Sequence, residues 1–117
     1  MKIISFIFLL SIASFNLSAA FTEPEMSQLA EINKKSIAKT EMGRKYLDDR
    51  VNVAIKNRPK EKNQLIDLRN SWDATIRKKC KLAISESLNT DAEVAEENLC
   101  LYSEYKSAAD FFEGLNY

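Results

Sequence analysis

The sequence predicts an all-α protein: a small three- to four-helix bundle with a disulfide-linked antiparallel C-terminal helical hairpin. Three observations carry that reading. Breakers are scarce, with 2 Gly and 2 Pro among 117 residues, while Ala, Leu, Glu and Lys, which lose little on entering a helix, are common. Apolar residues recur at three- and four-residue steps over long windows, the spacing of one helix face. Cys80 and Cys100 stand evenly about a polar break.

The first helix opens at Thr22-Glu23-Pro24-Glu25. This is a capping box, in which the Thr hydroxyl accepts an orphan N–H and Glu25 reaches back. Proline is tolerated there because a first-turn N–H has no helical partner. Met26, Leu29, Ile32 and Ile37 line one side. Gly43 is expected to stop or kink the helix. Tyr46, Leu47, Val51, Ala54 and Ile55 continue the stripe. Asn57-Arg58-Pro59 is a firmer boundary, because proline disfavours helix for the residue before it. Lys56, Arg58, Lys60 and Lys62 surround it and read as a solvated connection, the alternative being a small basic patch.

From Glu61 the period is plain: Leu65, Leu68, Trp72, Ile76, Cys80 and Ala83 share a face. Leu65, Leu68, Trp72 and Ile76 are the expected core anchors, with the Trp72 indole N–H at the rim. Ser85 to Asn89 breaks the pattern, and Thr90-Asp91-Ala92-Glu93 is a second capping box. The last stripe runs Val94, Leu101, Tyr105, Ala108, Phe112 and Leu115, widened by Phe111. Gly114 is expected to fray the end. Tyr102, Tyr105, Phe111, Phe112 and Tyr117 should pack mostly on the hairpin, any exposed part being a docking surface. A lone hairpin cannot bury both of its stripes, so the helices before Pro59 should cover it.

Residues 1–20 read as a secretory signal peptide. Lys2 is positive, Ile3 to Phe15 is uncharged and apolar, and Ser18-Ala19-Ala20 suits a signal peptidase. The apolar run is short for a membrane span, which needs about 20 residues; an uncut anchor is the alternative. Cleavage after Ala20 leaves one helical domain, residues 21–117. No cysteine near that point favours a lipid anchor, and no stable membrane anchor is expected after cleavage. The localisation expected is therefore periplasmic or secreted, where cysteines meet an oxidising environment. Two antiparallel helices folded near residues 86–90 would bring Cys80 and Cys100 side by side. A bridge closing such a loop contributes about 3 kcal/mol. Two free thiols or a redox pair are the alternatives.

Composition excludes much chemistry. There is no histidine, which removes the commonest general base and metal ligand. Two glycines cannot build a phosphate-cradling loop. Asp48 and Asp49 are adjacent, so on a helix they diverge. No catalytic residue, metal site or cofactor is expected. Losing Lys2 leaves 16 basic against 17 acidic side chains, a balance unsuited to binding nucleic acid. Arg77, Lys78, Lys79 and Lys81 close the third helix, and Asp91, Glu93, Glu96 and Glu97 open the fourth. Each block suits the helix end it occupies. The alternative use of the acidic block, together with Glu86, is to bind a partner.

Leu65, Trp72, Cys80 and Cys100 resemble the second half of the lysozyme-inhibitor LprI-like N-terminal domain family. That family places a Leu before a Trp, a Cys after it and a second Cys beyond, at the intervals 65 to 72, 72 to 80 and 80 to 100 found here. The likeness covers about residues 61–115. Ile76 stands where the family often has Arg, and the family's additional N-terminal cysteines are missing. The resemblance implies a secreted, helical, disulfide-linked scaffold and lysozyme-inhibitor-like activity. The expectation is an exported non-catalytic binding protein whose partner is a lysozyme-like hydrolase. The alternative is a structural or assembly protein of the bacterial cell envelope, with an oligomeric state the sequence leaves open.

Overall fold

Three helices account for nearly all of residues 23–115, which the computed structural model describes. Helix α1 spans Glu23–Asn57, α2 spans Lys62–Ala83 and α3 spans Glu93–Glu113. The expected signal peptide, Thr22 of the first capping box, and Tyr117 lie outside the described residues. The chain divides into two compact units, residues 1–30 and 31–117. Of the first, only the opening turns of α1 are described. The bundle belongs to the second.

Pro59 ends α1 as expected, and Pro59–Glu61 forms a 3₁₀ turn into α2. Arg58 spans that turn, pairing with Glu61 at 3.0 Å. Lys56, Lys60 and Lys62 point outward there, as a solvated connection requires. A second 3₁₀ turn, Ser85–Ser87, begins the bend between α2 and α3. Cys80 and Cys100 are joined across that hairpin, their Cα atoms 5.6 Å apart. Facing residues run in opposite senses on the two helices: Lys81 meets Glu97, Lys79 meets Glu104, Asp73 meets Tyr105 and Trp72 meets Phe112. The hairpin is therefore antiparallel. Helix α1 runs parallel to α3, with Thr40 on Asn98 and Tyr46 on Glu113.

All three helices supply the core. Leu47, Val51 and Ala54 come from α1, Leu65, Ile76 and Cys80 from α2, and Tyr105, Ala108, Ala109 and Phe112 from α3. Each large apolar side chain buried here stabilises the fold by about 1.5–3 kcal/mol. Trp72 is half-buried at the margin, its ring edge-on to Phe111 and Phe112 at 5.2 Å between centroids.

The structure corrects five expectations. Leu68 is not a core anchor: it is 36% exposed. The inward line of α2 passes through Arg69 instead, whose side chain is only 11% exposed because it is needed for two carboxylates. At the end of the same stripe Ala83 is exposed and Ile84 is buried. On α1, Met26, Ile32 and Ile37 are exposed and Leu29 is half-buried; the buried line of α1 begins at Thr40, whose hydroxyl donates to Asn98 of α3.

Gly43 neither stops α1 nor interrupts it. It is buried where α1 crosses α3. A Cβ built on it would lie 3.1 Å from Tyr102 Cδ2 and 3.5 Å from Tyr105 Cβ. The glycine thus serves close helix approach rather than capping. The second capping box also fails to form. The Thr90 hydroxyl donates to the Ser87 carbonyl at 2.6 Å, and Glu93 accepts the Asn89 N–H at 3.0 Å. Asn89 turns the chain with φ of 63°, a conformation asparagine tolerates better than most residues. The helix then starts at Glu93 with no side-chain cap.

The close crossing makes position 43 sensitive to bulk. Gly43→Val should cost about 1–3 kcal/mol by overpacking. Gly43→Ala should change stability by less than about 1 kcal/mol, because relief of the glycine helix penalty offsets a small displacement of Tyr102. Urea unfolding of both variants measures the difference.

Candidate functional site

Two places concentrate polar chemistry. The first is the hairpin bend, where the acidic block is spent mostly on the bend itself. Glu93 holds the Asn89 N–H. Glu96 accepts a hydrogen bond from the Ser87 hydroxyl. Glu97 reaches Lys81 at 3.4 Å. These carboxylates rigidify the turn and suit the positive end of α3. Glu86 and Asp91 differ: both are exposed, and neither side chain has an ion pair or hydrogen bond among the described residues. Lys79 does not join the block but pairs farther along α3, with Glu104 at 2.8 Å. The five acidic residues singled out in the sequence therefore share one end of the hairpin but divide into three internal braces and two outward charges.

The second place was not singled out in the sequence. Tyr105 is fully buried among apolar neighbours, yet its hydroxyl must find a partner there. It donates to Asp73 Oδ1 at 2.8 Å. Asp73 Oδ2 lies 3.0 Å from Arg69 Nη1, and Arg69 Nε donates to Asp48 Oδ1 at 2.9 Å. The Arg44 guanidinium covers the Tyr105 ring at 5.4 Å from its centroid, and Arg69 flanks it at 6.0 Å. One network thus joins α1, α2 and α3. The available sequence signal was the i, i+4 pair Arg69–Asp73; its meeting with Tyr105 needs the register of the folded hairpin.

Burial pushes the Asp73 carboxyl up. The Tyr105 hydrogen bond, the Arg69 contact and the Arg69 and Arg77 charges together outweigh it and hold the group below its ordinary range. Burial likewise opposes the charge on Arg69, and Asp48 and Asp73 more than restore it. The arrangement is that of a helix-to-helix brace, in which the buried Arg69 Nη1 faces Asp73 as an ion pair without hydrogen-bond geometry. Among the described residues no group of three or more His, Cys, Asp or Glu side chains could hold a metal. No helix among them is long and apolar enough to cross a membrane. The disulfide itself belongs to an oxidising compartment.

A carboxylate whose native pKa is depressed stabilises the fold above its unfolded pKa. That contribution disappears as pH falls through the native value. Asp73 should therefore make the protein lose stability progressively below about pH 4, and Asp73→Asn should flatten that part of a pH titration of the urea midpoint. Tyr105→Phe removes a hydrogen bond to a charged group and should cost about 1.5–3 kcal/mol, measured by thermal and urea unfolding at neutral pH.

No protein-family model, curated protein or solved structure matches this chain.

Proposed function

We propose that this protein is an exported, non-catalytic binding protein that docks on a lysozyme-like hydrolase through the tip of its hairpin. The reading is carried by one observation: Glu86 and Asp91 stand exposed and unpaired on a bend that its own side chains brace. Exposed Leu88 lies between them in the sequence. A partner that is basic, with an apolar recess, complements such a surface, and opposite charge speeds encounter and fixes register. Bracing lowers the entropy lost on docking. The signal peptide read from residues 1–20 supports export. The Leu65, Trp72, Cys80 and Cys100 spacing supports kinship with the LprI-like lysozyme inhibitors.

A second reading is a structural protein of the cell envelope. It is favoured by Phe111, which is exposed beside Trp72 at the open end of the hairpin. Light scattering across a range of concentrations separates the two, because self-assembly predicts a mass that grows and binding to a hydrolase does not require it.

Titrating the mature protein into a hen-type lysozyme assay tests the first reading. Inhibition should saturate, weaken with added salt, and fall about tenfold in Glu86→Lys/Asp91→Lys. Unchanged hydrolysis at large molar excess, repeated with other muramidases, overturns the inhibitor assignment.

A further inference from the structure

The seam where α1 and α3 run side by side is not fully closed. Ser36, Lys39, Ala95, Asn98 and Leu99 line a cavity of about 230 Å³. The next turns, with Met42, Gly43, Tyr46, Tyr102 and Lys106, line a second of about 260 Å³. The residues advance by three or four on both helices, so the two cavities lie end to end along one groove. Its apolar rim faces water: Met42 is 67% and Leu99 is 60% exposed. Gly43 lets Tyr102 pack close against α1 at the base of the larger cavity, beside Tyr46.

The charged side chains that line the two cavities are both lysines, with the carboxylates of Glu113 and Asp110 near Tyr46 at one end. Lys39 lies over the Tyr102 ring at 4.7 Å. Lys106 stands at the rim of the larger cavity. Neither has a carboxylate within ion-pair distance among the described residues. Glu113 accepts the Tyr46 hydroxyl at 2.9 Å and forms no ion pair with either lysine. A row of small apolar recesses at helical spacing, edged by two lysines that make no ion pair, matches an amphipathic helix with carboxylates beside its apolar stripe. A second copy matches less well. A two-fold contact sets each patch against itself, which would bring Lys39 and Lys106 toward their own counterparts.

We infer that the α1–α3 groove docks an acidic amphipathic helix of a protein partner. One apolar side chain of that helix sits against Met42, Tyr46 and Tyr102, and its carboxylates meet Lys39 and Lys106. The groove is separate from the hairpin tip, and the inference does not depend on a hydrolase partner.

The probe is a synthetic helix with Leu on one face and Glu on both flanks, compared with a twin carrying Lys in place of Glu. Both are titrated into isotope-labelled mature protein. The acidic peptide should shift the Gly43, Tyr46 and Tyr102 amide resonances saturably, and the basic twin should not. Lys106→Glu and Met42→Lys alter exposed residues, so circular dichroism should match that of the parent. Each should weaken binding about tenfold or more. Equal binding of the twins, shifts confined to other residues, or no saturable shift overturns the inference. So does a dimer that Met42→Lys dissociates, which would assign the groove to a second copy.

Discussion

The covalent link between Cys80 and Cys100 is the constraint on which the rest of the molecule depends. It fixes the register of α2 against α3 at one point, and antiparallel geometry propagates that register both ways. Toward the bend it sets Lys81 against Glu97. Toward the open end it sets Lys79 against Glu104, Asp73 against Tyr105, and Trp72 against two phenylalanines. A domain this small has little core to spare, so a bridge that restricts the unfolded chain supplies a large share of its stability margin. Helix α1 then has a prepared surface to cover. Its Leu47, Val51 and Ala54 enter the same core as the hairpin's own apolar residues.

Tyr105 is where packing and polarity meet. Its ring fills the core, and its hydroxyl requires an acceptor at the core's edge. Asp73 serves that need, Arg69 balances Asp73, and Asp48 balances Arg69. The result is a specific angular setting of three helices, which a purely apolar interface would fix less sharply. Close approach at Gly43 belongs to the same setting, since Tyr102 and Tyr105 both lie against it. Around this fixed interior the protein keeps two unlike surfaces. The hairpin tip carries the unpaired acids Glu86 and Asp91, and the α1–α3 groove is lined by Lys39 and Lys106, which make no ion pair among the described residues.

Much of the scaffold was legible from spacing alone. Helical periodicity located the stripes of α2 and α3, Pro59 marked the end of α1, and the symmetry of the cysteines about the break anticipated their bridge. What escaped sequence reasoning depended on partners distant in the chain. Leu68 and Arg69 are neighbours, and periodicity favoured Leu68, but two carboxylates drew Arg69 inward. Gly43 was read as a breaker because local propensity cannot see Tyr102 on another helix. Thr90 and Glu93 fit a capping box locally, yet the left-handed turn at Asn89 redirected both. The acidic block was visible as composition. Its division into braces and free charges was not, because it depends on where Ser87, Asn89 and Lys81 fall in the folded bend.

The direct test of the central constraint is a mass measurement on natively produced protein, alkylated without reductant and then digested. The account predicts that neither cysteine takes up label and that a single linked pair of peptides joins Cys80 to Cys100. Full alkylation of both thiols in folded material would contradict it, since α2 and α3 would then hold their register without the crosslink.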